Sequence, residues 1–198
     1  MEIELSMNNI KAISPEELDA ITDCMVTSFI SDPTARYSCP EPAHYLATFK
    51  GFSHIFFEGA VKHGTAWKIT GNAGAIAWYP PGESIDTEAM VEYVEKTCHP
   101  DNLEDLMAVT ASFDNYRPQE PHWHLGMIGV DPFSQGQGLG FKLIEHTLEQ
   151  IDKEKLPTYL ESSNPQNVSL YERLGFEALD QLCLGGKPTM TPMIRQAQ

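Results

Sequence analysis

The chain has 198 residues, of which 41% are hydrophobic, so it is about one domain long and can build one sizeable core. Its formal net charge of −15 disfavours nucleic acids and anionic membranes as partners, because long-range repulsion opposes both, and it suits a cationic substrate. The first ten residues carry no basic segment and no stretch approaches about 18 consecutive apolar residues, so a soluble, cytoplasmic protein is expected.

The first third of the chain predicts one strand and two helices. Residues 3–13 are compatible with a strand, and Ser14 followed by Pro15 and two glutamates is typical of a helix start. Turn-forming residues make 32–42 a predicted loop, after which regularly spaced aromatic residues predict a second helix. The residues expected to face inward on the first helix are Leu18, Ile21, Met25 and Phe29, and the residues whose spacing predicts the second are Tyr45, Phe49, Phe52, Phe56 and Val61.

The middle of the chain predicts a hairpin followed by two further helices. Residues 65–70 and 73–79 are short strand candidates separated by Gly71 and Asn72, and Pro80-Pro81-Gly82 ends the second strand. Within 84–116, apolar residues at helical spacing predict two helices broken at His99 and Pro100. This stretch is the predicted lid of a binding site.

The last third alternates between strands and helices. Strands are predicted at 122–130 and 157–162, and helices at 138–151 and 164–174, the second ended by Gly175. One or two further strands are expected from Phe176 onward. Strands that alternate with helices imply a mixed α/β sheet.

A glycine-rich turn joins the strand at 122–130 to the next helix. Unpaired amides at a helix start can bind an anion, and glycines let a diphosphate approach the main chain, although an ordinary strand-to-helix turn is the alternative. A dinucleotide-binding GxGxxG does not fit, because Phe141 occupies the third position after Gly138, and no P-loop lysine follows. The turn reads Gln135-Gly136-Gln137-Gly138-Leu139-Gly140.

This turn matches the Gln/Arg-x-x-Gly-x-Gly/Ala signature of the GNAT acetyltransferases, with Val130 and Pro132 at the usual distance before it. The segment 164–176, from Asn164-Pro165 to Gly175-Phe176, is similar to the helix-then-strand segment of the same family. The resemblance is best over 122–176. Residues 78–82 and 122–125 also look like the branch that includes the puromycin-type antibiotic acetyltransferases.

The resemblance implies a single domain over 1–198 with a mixed, mostly antiparallel sheet of about six to seven strands and helices on both faces. Residues 1–121 would shape the acceptor site, with a helical insertion at 84–117, and 122–176 would form the acetyl-CoA-binding core. Lys142 is a candidate for a further phosphate contact, with a solvated lysine as the alternative. The implied cofactor-binding residues are Met127, Ile128, Val130, Gln135, Gly136, Gln137, Gly138, Leu139, Gly140, Phe141, Asn167 and Tyr171.

The same resemblance places Tyr171 near the cofactor sulfur, where a phenol suits a general acid. Glu161, at the C-terminal end of its strand, is the candidate general base, with a surface or capping acid as the alternative. His122 and His124 fall on one face of their strand and are candidates for substrate contacts or for the base. Tyr79 is a candidate for the wall of the acceptor pocket, with packing in the core as the alternative.

The four cysteines form no CxxC pair, which argues against a zinc ribbon or a disulfide framework and predicts buried free thiols. A metal site built from the two histidines with Cys98 or His99 lacks a third ligand fixed by spacing, so no metal is expected.

Three classes of function stay open. The first is an acetyl-CoA-dependent enzyme, a monomer or homodimer, that acetylates a small-molecule amine such as a polyamine, an aminoglycoside-like antibiotic or an amino-acid derivative; a protein N-terminus or lysine is the alternative acceptor. The second is a non-catalytic acyl-CoA-binding sensor, which the presence of Tyr171 disfavours. The third is an unrelated phosphate-binding α/β protein.

Overall fold

The central sheet contains eight strands in the part of the chain that the structure describes. The computed structural model describes residues 10–198, apart from the side chain of Pro188, so the predicted strand at 3–13 is described only for its last part. The strand order is β1-β2-β3-β4-β5-β8-β6, and β7 pairs with β8. Among these described strands, only β4 and β5 run parallel to each other. The strands are β1 (Ile10–Ala12), β2 (Ala66–Ile69), β3 (Gly74–Tyr79), β4 (Trp123–Val130), β5 (Thr158–Ser162), β6 (Glu177–Ala178), β7 (Leu182–Leu184) and β8 (Lys187–Arg195).

Seven α-helices accompany the sheet in the described part of the chain. The helical break at His99 is confirmed: the histidine side chain accepts a hydrogen bond from the Asp101 amide and Pro100 begins the next helix. None of the helices among residues 10–198 is long and apolar enough to cross a membrane. The helices are α1 (Leu18–Ser28), α2 (Pro33–Ser38), α3 (Pro42–His63), α4 (Thr87–Thr97), α5 (Pro100–Ser112), α6 (Leu139–Ile151) and α7 (Val168–Glu172).

Helices cover both faces of the sheet, as predicted. Side chains of a strand point alternately to its two faces, so a strand buried on both faces is apolar throughout. Strand β3 shows this pattern: Ala75 and Ala77 pack against α1 and α3, whereas Ile76 and Trp78 pack against α6. The mixed α/β class with a mostly antiparallel sheet is therefore confirmed, with eight strands in place of six to seven.

Three local predictions were wrong. Residues 32–42 are not all loop, because the Asp32 side chain accepts the Ala35 amide at 2.9 Å and caps α2, with Pro33 at its first position. The tail forms three strands, because Gly185 and Gly186, both with positive φ, turn β7 back onto β8. Three cysteines are buried free thiols, but Cys183 is exposed.

The predicted helix at 164–174 is shorter than expected. Pro165–Asn167 forms a 3-10 turn, capped by the Asn164 side chain, and only Val168–Glu172 is α-helical. Both pieces still project side chains toward the C-terminal end of β5, where the site described below is located.

Helices α4 and α5, which form the predicted insertion, pack on α3 through a close contact. The hydroxyl of Tyr93 donates to the Thr48 carbonyl at 2.6 Å. A Cβ atom at Gly51 would lie 2.3 Å from that hydroxyl, so only glycine lets the ring sit against α3. This contact holds the insertion over the same end of the sheet.

Candidate active site

The parallel strands β4 and β5 separate after a short pairing. They are in register from Trp123 opposite Thr158 to Leu125 opposite Leu160. Beyond that point β5 continues against β8, while β4 continues against β3 as far as Val130. Within residues 10–198, the edge of β4 that follows Leu125 therefore has no strand partner on the β5 side, and its backbone groups are available to a ligand with peptide-like bonds.

A β-bulge lies at the point of separation. Ala77 of β3 pairs with Met127 and Trp78 pairs with Leu125, so Gly126 is the extra residue. A Cβ atom at Gly126 would lie 2.8 Å from the Tyr79 ring, which explains the glycine.

Tyr79 is a core residue and not a wall of the acceptor site. It is completely buried, and its hydroxyl donates to the Phe56 carbonyl at 2.8 Å. Burial, followed by the charges of Asp86 and Glu58, raises its pKa above the usual range. The expectation that it contacts substrate is corrected for this reason, since no part of its side chain reaches the cavity.

A cavity of about 480 Å³ opens where the two strands separate. Met127 and Ile128 of the free edge line it on one side, and α3, α4 and α5 line it on the other. Most of the wall away from the sheet is apolar or aromatic. The larger side chains of that wall are Phe49, Phe52, Phe56, Met90, Met107 and Phe113.

Tyr171 on α7 presents its hydroxyl to this cavity. The side chain is 5% exposed, and within residues 10–198 its hydroxyl has no hydrogen-bond partner. Burial and the negative charge of Asp32 raise its pKa above the usual range, so the phenol is protonated at neutral pH. Asn167, one turn earlier, is exposed and lines the same cavity. The two side chains that the sequence assigned to the cofactor thus meet at one place.

Glu161 lies in the cavity wall but is already engaged by two partners. The Nε2 atom of His124 lies 2.7 Å from one carboxylate oxygen, and the Arg117 guanidinium lies 3.2 Å from the other. Burial alone would raise the pKa of Glu161, but His124 and Arg117 together lower it below the usual range. An ionised carboxylate held in this way is a poor proton acceptor, which argues against Glu161 as the general base.

The two predicted histidines share a face but not an environment. The rings of His122 and His124 lie 6.1 and 5.7 Å from the ring of Tyr159, centre to centre. Only His124 lines the cavity. The Nδ1 atom of His122 lies 2.9 Å from the Glu120 carbonyl, outside the cavity, so the structure does not bring this residue to the site.

The glycine-rich turn is exposed beyond the far end of β4. Gly136 and Gly138 have φ values of 76° and 74°, which favour glycine, and a Cβ atom at either would meet nothing within 4 Å. Among residues 10–198, no backbone carbonyl accepts from the amides of 136–141. The buried side chain of Leu139 fixes the start of α6 in the core. The turn therefore presents a row of free amides at a helix N-terminus.

Side chains of Gln135 and Arg173 complete this region. The Gln135 amide nitrogen donates to the Val130 carbonyl at 2.9 Å, which leaves Met127 and Ile128 as the better main-chain partners for a ligand. The Arg173 guanidinium lies 5.4 Å from the centre of the Phe141 ring and adds a positive charge near the turn. Sequence reasoning missed Arg173, because its position relative to α6 depends on how α7 packs. Lys142 is exposed.

Asp32 is a further carboxylate of the cavity wall that the sequence analysis did not single out. Its side chain is 6% exposed, and its second oxygen accepts a hydrogen bond from the Ser163 hydroxyl at 2.7 Å. Burial raises its pKa from 3.8 to about 6. The signal in the sequence was an Asp-Pro pair, which marks a helix cap but not a cavity.

No group of three or more histidine, cysteine or acidic side chains in the described part of the chain is arranged to hold a metal ion.

The class of protein is defined by strand β4, the glycine-rich turn and helix α6, together with the separation of β4 from β5. This arrangement is that of an acetyltransferase. The sequence profile of the Acetyltransferase (GNAT) family matches residues 79–176, which contain β4, the turn, Glu161 and Tyr171. The chain belongs to this family and is an acetyltransferase.

Curated relatives agree with this assignment. The chain is 27% identical over 183 residues to an uncharacterized N-acetyltransferase of Schizosaccharomyces pombe, covering 84% of this chain and 73% of that protein. It is 30% identical over 119 residues to a mycothiol acetyltransferase of Mycobacterium. The aligned region covers 54% of this chain and 40% of that longer protein. A 52-residue segment is 46% identical to the ribosomal protein bS18 alanine N-acetyltransferase of Escherichia coli, covering 25% of this chain and 35% of that protein.

Solved structures share the fold. Arylalkylamine N-acetyltransferase 2 of Aedes aegypti superimposes with a TM-score of 0.67 at 12% identity, over 96% of this chain and 98% of that chain. An acetyltransferase from Corynebacterium glutamicum gives 0.64 at 20% identity, over 96% of both chains. At these identities the likeness concerns the fold alone. The puromycin-type branch stays a prediction.

Proposed function

We propose that this enzyme transfers an acetyl group from acetyl-CoA to the primary amine of a small molecule by direct attack in a ternary complex. The observation that carries the proposal is the free edge of β4, which borders a cavity into which Tyr171 projects an unpartnered hydroxyl. A thioester held along that edge would place its sulfur within the reach of the α7 residues.

The residues present fit the donor. Pantetheine contains amide bonds, and the unpaired backbone of Met127 and Ile128 offers complementary donors and acceptors. The amides of 136–141 suit a diphosphate, because the positive φ glycines leave the approach open. Arg173 adds a positive charge near the turn. This charge favours an anionic ligand there, although the net charge of the chain is −15. Asn167 is placed for a polar contact with the pantetheine arm.

The chemistry requires two proton transfers. The amine nitrogen forms a bond to the thioester carbonyl carbon, the carbon–sulfur bond breaks, and the departing thiolate takes a proton from Tyr171. We assign His124 to accept the proton that the amine loses, because it lines the cavity and its Nδ1 has no hydrogen-bond partner within residues 10–198. Glu161 is then a positioning residue, which fixes the imidazole by its contact with Nε2.

The acceptor is a small molecule because the insertion lies over the site. Helices α4 and α5 supply part of the cavity wall, and the contact of Tyr93 with α3 holds them there. A lysine on a folded protein would need an open groove at this position. Several proteins that share the fold are named for small amine acceptors, such as arylalkylamines and agmatine, which is consistent with this assignment.

The test combines binding with turnover. Acetyl-CoA binding is measured by calorimetry, and release of free thiol is followed with a panel of small amines and a lysine-containing peptide. Binding together with turnover of small amines supports the proposal. Binding with turnover of the peptide alone would assign a protein acceptor, and absence of binding would exclude acetyl-CoA as the donor.

A further inference from the structure

The carboxylate of Asp32 is held in the cavity by neutral groups only. It accepts the Ala35 amide at 2.9 Å and the Ser163 hydroxyl at 2.7 Å. None of the ion pairs among the described residues includes Asp32. Burial of an acid without a cationic partner is costly, and the protein maintains it here.

The other carboxylates of the cavity wall are compensated. Three acidic residues line the cavity, namely Asp32, Asp114 and Glu161. Arg117 pairs with Asp114 and with Glu161, both at 3.2 Å, and His124 adds a further contact to Glu161. Asp32 is therefore the one acid of the wall, among the described residues, whose negative charge is not balanced by a side chain.

Asp32 also lies close to the reacting end of the site. Its charge contributes to the raised pKa of Tyr171, and both residues line the cavity. The wall that faces them from α3, α4 and α5 is mostly apolar and aromatic, with Phe52, Met90 and Met107 among its members, and its polar residues there are uncharged threonines. A ligand that fills this space thus meets an unpaired carboxylate near Tyr171, the ion-paired side chains around Arg117, and a mostly apolar surface on α3, α4 and α5.

We propose that Asp32 binds the ammonium form of the acceptor's amino group, which releases one proton to solvent before the neutral nitrogen attacks, and that the acceptor is a monoamine with an apolar or aromatic body. This inference rests on the proposed acetyl transfer and specifies its substrate class. It departs from the expectation of a polyamine or aminoglycoside. A second ammonium group would have to be buried against the phenylalanine and methionine side chains without a carboxylate of its own, which is unfavourable.

The experiment compares acceptors and one substitution. The ratio kcat/KM is measured at pH 8 for 2-phenylethylamine, hexylamine and spermidine with the wild type, Asp32→Asn and Asp19→Asn. Asp19 is exposed and pairs with Lys50 on the outer side of α1, so its substitution makes the same change in net charge away from the cavity. Binding of 2-phenylethylamine in the presence of free CoA is measured by calorimetry, which does not depend on turnover.

We expect both monoamines to exceed spermidine by at least about tenfold in kcat/KM. Asp32→Asn should raise the KM and the dissociation constant for 2-phenylethylamine by about tenfold, while kcat at saturation changes little and Asp19→Asn behaves as the wild type. Preference for spermidine, or an unchanged KM in Asp32→Asn, would overturn the inference. If acetyl-CoA binds and neither class of amine is acetylated or bound, this inference fails while donor binding stands; absence of acetyl-CoA binding would instead refute the proposed function.

Discussion

The hydroxyl of Ser163 donates a hydrogen bond of 2.7 Å to the carboxylate of Asp32, although 131 positions separate the two residues in the chain. A second contact runs in parallel, since the hydroxyl of Thr34 donates to the Ser163 carbonyl at 3.0 Å. Together these two hydrogen bonds connect the start of α2 to the end of β5. This junction brings a helix-capping acid into the same cavity as Tyr171 and Glu161.

Substitution of Asp32 should raise stability at high pH. Between pH 3.8, its ordinary pKa, and its folded value of about 6, the folded state binds more protons than the unfolded state, so the free energy of unfolding falls as pH rises. The ionised group then costs about 3 kcal/mol at pH 8. Asparagine keeps the cap, and Ser163 can rotate to accept from its amide. Asp32→Asn should therefore be more stable than the wild type at pH 8 and about equal at pH 4.

Urea denaturation at both pH values checks this prediction. A gain in stability that accompanies weaker acceptor binding would mark Asp32 as a residue kept for function at the expense of stability. A less stable Asp32→Asn protein at pH 8 would show that the carboxylate is mainly a helix cap.

Removal of the Tyr171 hydroxyl should slow the chemical step alone. Tyr171→Phe is expected to lower kcat by about 100-fold, because the thiolate would leave without its acid. The dissociation constant for acetyl-CoA should stay the same, and the free energy of unfolding should change by less than about 0.5 kcal/mol, since the hydroxyl has no partner in residues 10–198. Thiol release, calorimetry and denaturation measure the three quantities.

Tyr79→Phe is the matched control for that experiment. Its hydroxyl is buried and bonded to the Phe56 carbonyl, so its loss should cost about 1 kcal/mol of stability and leave kcat unchanged. Equal kcat losses in the two variants would refute the role of Tyr171 as the acid.

Glu161 is expected to affect the rate of acetyl transfer because it holds the His124 ring in position. Glu161→Gln removes the charge that holds both His124 and Arg117, so we expect a loss of about 2 kcal/mol in stability and a decrease of about tenfold in kcat, with little change in the KM for acetyl-CoA. His124→Gln should lower kcat at least as much. Glu149→Gln, at an exposed position on α6, controls for the loss of one acid. Full activity of His124→Gln would remove His124 from the mechanism.

The glycine turn should bind the donor through its backbone. Gly138→Ala places a Cβ atom in the open approach to the amides and adds strain at φ 74°, so we expect the dissociation constant for CoA to rise about tenfold. Gly64→Ala, at φ 72° with nothing within 4 Å, imposes the same strain away from the site. Calorimetry should find its affinity for CoA unchanged. Similar losses in both variants would mean that strain, and not access to the amides, is responsible.

The sequence alone predicted those features that depend on residues close together in the chain. Apolar spacing located the long helices, the hairpin and the break at His99, because these patterns depend on neighbours within one or two turns. The order of residues from Val130 to Gly140 identified a helix start with free amides, which the fold of that segment bears out. Tyr171 and Asn167 were predicted from the resemblance of 164–176 to a segment of the acetyltransferase family, and the structure places them on adjoining helical turns.

Contacts between distant segments were decided only by the tertiary structure. The pairing of Glu161 with Arg117 spans 44 positions and helps to lower the pKa of the carboxylate, which disfavours the predicted role as general base, and no pattern in the sequence predicts this contact. The burial of Tyr79 follows from the bulge at Gly126, which depends on the register of two strands. Asp32 reaches the cavity only because α2 docks on β5. Charge compensation depends on distances of a few ångströms between remote residues, so only the folded chain shows which acid of the cavity has no cationic partner among the described residues.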